Sequence, residues 1–154
     1  MVRTLPIWQT LADKPLGKWL FSRVLCFKAP YFATIRPRFQ ALRPGYSEIT
    51  FGKRRAVLNH IGTVHAIAMC NAAELVAGTM TDVTIPASHR WIPKGMRVEY
   101  LQKATSTLRA VATPAPGAAP DREGDYEVHV DVTDAEGTTV LHAVITMWVT
   151  PRSR

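Results

Sequence analysis

The run Asn59-His60-Ile61-Gly62-Thr63-Val64-His65-Ala66 leads directly into Ile67-Ala68-Met69-Cys70-Asn71-Ala72-Ala73-Glu74-Leu75-Val76-Ala77-Gly78-Thr79. A polar, glycine-bearing turn feeds a segment that is apolar on nearly every side. At about 100° per residue, Val64, Ala68, Ala72 and Leu75 share one side, and Met69, Ala73 and Val76 share the next. A helix apolar almost all round is a buried one, wrapped by a sheet or paired with another copy. The spacing therefore predicts a central helix over 64–79, with Gly78 as its C-terminal stop.

Asn71 and Glu74 alone interrupt the apolar helix, on one strip with Ile67 and Gly78. A carboxylate there is desolvated, so its pKa rises unless hydrogen bonds or a cation compensate, and a raised carboxylate suits a general base near neutral pH. The turn offers the complementary group. With Thr63 as N-cap, the N–H groups near His65 and Ala66 point outward at the positive end of the helix, where an anion or a developing oxyanion binds. The plainer alternative makes Glu74 a surface or salt-bridged residue and Asn59 and His60 ordinary turn residues. His65 and Glu74 are nine residues apart, roughly 13.5 Å along the helix and half a revolution around it. One chain cannot bring them together. Two antiparallel copies of the helix can, which predicts a homodimer with shared sites.

Working outward, residues 15–28 read as an N-terminal helix after an arm over 1–14, with Pro15 in the first turn and Leu16, Leu20, Val24 and Phe27 at helical spacing. Residues 32–43 read as extended, with Pro37 at an edge or bulge, and 46–54 as a strand after the Pro44-Gly45 turn. Beyond the central helix, strands are predicted over 96–103, 106–113, 126–133 and 139–150, with 114–124 as a flexible Pro/Ala/Gly loop. The order is that of an α+β domain with an antiparallel sheet.

The 154 residues fit one domain, 47% hydrophobic and 20% charged. Apolar runs stay shorter than a membrane span, and the start lacks a secretory pattern. Cys26 and Cys70 fall in apolar helical surroundings, as buried thiols of a cytoplasmic protein do. The Cys and His spacings match no metal site. Net charge is +7, and residues 1–55 hold eleven Lys and Arg against Asp13 and Glu48. Such a surplus suits nucleic acid, an anionic membrane, a phosphate-bearing ligand or a solvated surface, but no nucleic-acid motif accompanies it.

The pattern Asn59-x-x-Gly62-x-x-His65-Ala66, with Glu74 eight residues on, resembles the active-site segment of the hotdog-fold acyl-CoA thioesterases. The nearest branches are the phenylacetate-pathway type and a related group of hotdog proteins of unknown function. The likeness extends through Pro30-Tyr31-Phe32 and Met96-Arg97-Val98-Glu99-Tyr100-Leu101. It implies a hotdog fold: an antiparallel sheet wrapped around a long central helix, here with an extra N-terminal helix. It further implies hydrolysis of an acyl-CoA thioester across the interface of a homodimer or of a homotetramer built from such dimers, with coenzyme A as part of the substrate and no other cofactor. By position, Asn59 would orient the thioester or water, and the Ala66 N–H beside His65 would hold the oxyanion. Glu74 of the partner subunit would be base or nucleophile, with Gly62 and Asn71 binding substrate. Two departures stand out. Many relatives carry His-Gly-Gly where this chain has His65-Ala66-Ile67, and their carboxylate is often Asp rather than Glu. A hotdog dehydratase or hydratase and a non-catalytic acyl-CoA binder are the competing expectations.

Overall fold

The computed structural model describes residues 4–152; Arg3, counted above, and the start of the expected arm lie outside them. Two helices come first, α1 (Thr4–Leu11) and α2 (Gly17–Lys28), followed by a 3-10 turn over Pro30–Ile35. Strands β1 (Arg38–Arg43) and β2 (Tyr46–Phe51) form a hairpin, and a second 3-10 turn spans Arg55–Val57. The central helix α3 runs from Ala66 to Thr84. Strands β3 (His89–Tyr100), β4 (Leu108–Pro114), β5 (Gly124–Thr133) and β6 (Thr139–Pro151) complete the chain.

All six strands join one antiparallel sheet in the order β1-β2-β4-β5-β6-β3. Its inner face follows the period of two: Leu108, Ala110 and Ala112 on β4, and Tyr126, Val128, Val130 and Val132 on β5, are buried. On β6, Leu141, Ala143, Ile145, Met147 and Val149 are buried in the same way. Helix α3 lies in this curved surface, burying Met69, Ala72, Ala73, Leu75, Val76, Ala77 and Met80. Small side chains on both surfaces let helix and sheet approach closely, and each fully buried Leu, Val or Met contributes about 1.5–3 kcal/mol. A buried Ser47–Thr79 hydroxyl bond of 2.9 Å pins β2 to α3. This is the hotdog arrangement.

Several boundaries differ from the sequence reading, each for a local reason. The expected arm contains α1, whose Trp8 packs edge-on against Phe21 at 5.1 Å. Leu16 takes a left-handed conformation at the start of α2, which delays that helix to Gly17. Gly17 is there because nothing larger fits: a Cβ would sit 1.6 Å from the Leu11 carbonyl oxygen. The expected strand over 32–43 begins only at Arg38, because Pro30 opens a 3-10 turn closed by left-handed Arg36. Strand β2 ends at Phe51 rather than 54.

Helix α3 passes Gly78 and continues to Thr84. Thr79, Thr81 and Thr84 bond back to the carbonyls of Leu75, Ala77 and Met80, so the β-branched end stays helical. Strand β3 begins at His89, seven residues before its expected start, and tolerates Pro93 because it is an edge strand with a bulge between Pro93 and Gly95. No helix among the described residues is long and apolar enough to cross a membrane.

Candidate active site

The turn before α3 is closed by its own side chains. Asn59 Oδ1 accepts from the Ile61 and Thr63 N–H groups at 3.1 and 3.0 Å, and its Nδ2 donates to Thr63 Oγ1 at 2.7 Å. The Asn59 carboxamide thus organises the turn and retains a single N–H for any other use. Gly62 supplies the positive φ of 78° that the turn requires.

Thr63 is therefore engaged by Asn59, and the N-cap is His65. Its Nδ1 accepts from the Ile67 N–H at 3.0 Å, which puts the proton of the neutral ring on Nε2. The His65 N–H does not point outward as expected; it donates to the Val57 carbonyl at 2.8 Å. Ala68 and Met69 both donate to the His65 carbonyl. What remains is the Ala66 N–H, the first of the helix, with no acceptor among the described residues. Hence the outward N–H expected at the start of the helix is found at Ala66 alone.

Glu74 corrects one expectation. Most of α3 is buried, but Glu74 is exposed in the single chain, so burial does not act on it here. On that strip of α3 the sheet and the N-terminal helices cover Asn71 and Gly78 but leave Glu74 and Ile67 open, Ile67 being 53% exposed. Glu74 has no hydrogen bond or ion pair among the described residues; their three ion pairs are Lys94–Asp125, Arg109–Glu48 and His142–Asp131. Asn71, one turn earlier, is buried; its Nδ2 donates to Thr34 Oγ1 at 3.0 Å, while its Oδ1 accepts nothing among the described residues. The structure groups Asn59, Gly62, His65 and Ala66 at the start of α3. Glu74 stands about 12 Å further along the helix from Ala66.

Glu74 opens onto a cavity of about 370 Å³ that the sequence reading missed. Helix α3 forms one wall with Glu74, Leu75, Gly78 and Asp82, and α1 and α2 form the roof. Trp91 closes a side, its ring so near α3 that a Cβ on Gly78 would meet Cη2 at 2.7 Å. The signal in the sequence was a glycine inside an apolar helix, which marks close approach as readily as a stop.

Residues 17–149 match the family described as Domain of unknown function (DUF4442). The chain belongs to this family. Its structure is similar to that of a crystallised structural-genomics target at 50% identity and a TM-score of 0.87, covering 99% of this chain and 100% of the other. Thioesterase HI1161 from Haemophilus influenzae has the same fold at 15% identity and a TM-score of 0.72, over 82% and 86% of the two chains. A thioesterase family protein from Silicibacter pomeroyi follows at 17% identity and a TM-score of 0.73, over 85% and 96%. No curated protein matches the sequence.

In this DUF4442 chain a basic pair adjoins the Asn71 side of the site. Arg54 Nη2 donates to the Thr34 carbonyl, and its Nε is buried without a partner. Burial first, and Arg36 second, push the Arg54 guanidinium below its ordinary range. Neither arginine is in an ion pair among the described residues. On the other flank Cys70 Sγ and Tyr100 Oη share a 3.4 Å hydrogen bond, which together with burial raises the phenol's pKa. Both cysteines are free and buried. Among the described residues no cluster of three or more His, Cys, Asp or Glu could hold a metal ion.

Proposed function

We propose that the protein is an acyl-CoA thioesterase working as a homodimer, with each site built from two subunits. The observation that carries this reading is Glu74: a carboxylate without an ion pair among the described residues, at the mouth of an apolar cavity. Glu74 takes a proton from water, whose oxygen attacks the thioester carbon, or it attacks that carbon itself and water then cleaves the anhydride. The oxyanion is held by the Ala66 N–H of the partner subunit, at the positive end of its helix. The thiolate of coenzyme A leaves and is protonated.

The need for a second copy follows from length. Glu74 and the Ala66 N–H are about 12 Å apart within one chain, beyond the reach of one reacting carbon. Strand β3 supports an edge-to-edge pairing. It is twelve residues long, lies at the sheet edge and exposes Ile92, Met96 and Tyr100. Arg54 and Arg36 are assigned to the phosphates of coenzyme A, since both lack an ion pair among the described residues and Arg54 is tied to Thr34, which Asn71 bonds beside the site.

Two substitutions test the chemistry and the sharing together. Glu74→Gln should abolish thiol release from a panel of short, long and aromatic acyl-CoAs while leaving the oligomer intact; unchanged turnover overturns the assignment. Ala66→Pro deletes the proposed oxyanion donor at the one helical position where proline is favoured. His65, at φ −64° and ψ 138°, already has the conformation a following proline requires. Mixed one to one, the two inactive variants should recover about a quarter of wild-type activity, because half the dimers each carry one intact site. No recovery despite proven subunit exchange refutes shared sites.

A further inference from the structure

We infer that the cavity under α1 and α2 holds the alkyl chain of an acyl group of about eight to twelve carbons, and that the Thr4–Asp82–Trp91 cluster sets its length limit. This rests on the thioesterase reading for the thioester, but the chain-binding site stands on its own geometry.

The cavity has two distinguishable ends. Lys28, Ala29 and Phe32 line it beside Glu74. They adjoin Thr34, which Asn71 bonds one turn before Glu74, so this is the end where the reacting carbonyl sits. At the other end Thr4 Oγ1 donates to Asp82 Oδ2, and Trp91 Nε1 lies 3.5 Å from Asp82 Oδ1. Between them the wall is largely hydrocarbon, with Ile7, Phe21, Val24, Leu25 and Leu75 lining the space, and the hydroxyl of Thr79, which also lines it, is taken up by Ser47 and the Leu75 carbonyl. Walls of this kind favour an alkyl chain over a polar acid, whose substituents would find no free hydrogen-bond partner along the way.

Length and volume agree on chain size. Glu74 and Asp82 are eight residues apart on α3, about 12 Å. An all-trans chain with bonds of ~1.5 Å at about 111° advances roughly 1.25 Å per carbon, so about ten carbons span that distance. By volume, 370 Å³ holds about a dozen groups of water size, at roughly 30 Å³ each.

The stop is specific. A second cavity of about 340 Å³ lies beyond, and the only residues lining both are Thr4 and Asp82. Thr4 and Asp82, joined by a hydrogen bond, stand between the two spaces. Removing it should nearly double the room available to a chain.

The test compares kcat/KM for linear acyl-CoAs from four to sixteen carbons, together with calorimetric binding of decanoate, in wild type, Asp82→Ala and Ile7→Trp. Wild type should peak at eight to twelve carbons and bind decanoate. Asp82→Ala should move the peak to fourteen or more carbons. Ile7→Trp, which fills the Thr4 end, should lower the ratio of dodecanoyl to butyryl kcat/KM at least tenfold. Val24→Trp, at a position already 37% exposed, provides the same reading should Ile7→Trp not fold. Decanoate binding that these variants weaken, without turnover of any thioester, keeps the chain site and overturns the thioesterase reading. Turnover with one length profile in all variants keeps the thioesterase and overturns the chain site.

Discussion

Replacing Asn59 by alanine and by aspartate separates a turn-building role from a substrate-binding one. Asn59→Ala removes the acceptor of two N–H groups and the donor to Thr63 Oγ1. Ile61 is 56% exposed, so water replaces its lost bond at little cost. Thr63 is only 9% exposed, so its N–H is left unsatisfied, at about 1–3 kcal/mol. The expected loss is about 2 kcal/mol, which for a domain of this size lowers Tm by roughly 4–8 °C. Asn59→Asp keeps both acceptor bonds, and the Thr63 hydroxyl can donate to the second carboxylate oxygen. Its Tm should stay within about 2 °C of wild type, for a change near 0.5 kcal/mol. Thermal and urea unfolding measure both. An alanine variant as stable as wild type, or an aspartate variant as unstable as the alanine one, refutes the reasoning. A stable Asn59→Asp protein without turnover assigns the spare N–H to the substrate.

Three further outcomes follow from other parts of the molecule. Gly17→Ala places a methyl 1.6 Å from the Leu11 carbonyl oxygen, so α1 must move off α2; it should cost about 1–3 kcal/mol by urea unfolding, and a neutral result would contradict the α1–α2 packing. Arg54→Ala should raise KM for an acyl-CoA at least fivefold while leaving it unchanged for the same acyl group on a short thiol without phosphates; an equal rise for both removes Arg54 from the phosphate site. Arg109 holds the Glu48 carboxyl below the ordinary carboxylate range, so this pair stabilises the fold at neutral pH and the contribution fades as pH falls through the lowered value. With Arg109 46% exposed, that contribution is about 0.5–1 kcal/mol, and Glu48→Gln should flatten the acid limb of stability against pH by this amount; an unaltered limb would mean the pair contributes nothing.

The fold was legible because its strongest patterns are physically redundant. An apolar helix, an alternating strand over 126–133 and a more uniformly apolar one over 139–150 all point to a sheet wrapped around α3, and small errors at their ends do not change that. The missed elements were carried by single residues. Nothing in Pro30-Tyr31-Phe32 distinguishes a 3-10 turn from an approach to a strand; the left-handed Arg36 that closes it is visible only in coordinates. Trp8 gave the better clue to α1. Ile7, Trp8 and Leu11 have helical spacing after a Thr4-Leu5-Pro6 start, but seven residues of pattern compete poorly with the longer signals around them.

The site was legible in its types more than in its roles, and the reason is competition for hydrogen bonds. Thr63 has the better intrinsic N-cap propensity, yet its hydroxyl already accepts from Asn59, so the cap falls to His65 two positions later. Propensity scales rank residues one at a time and do not register a prior claim on a hydroxyl. Glu74 shows the same limit from the other side. An apolar helix argues for burial of everything on it, but a single chain buries only the faces its own sheet and N-terminal helices reach. Ile67 and Glu74 are left open beside an unpaired edge strand. Apolar Ile67, Ile92 and Met96 exposed around one carboxylate make sense as a surface closed by another copy, where Glu74 would gain the desolvation a base needs. On that argument the working site is a property of the dimer: dilution to monomer should abolish activity even though the described chain contains every proposed catalytic group.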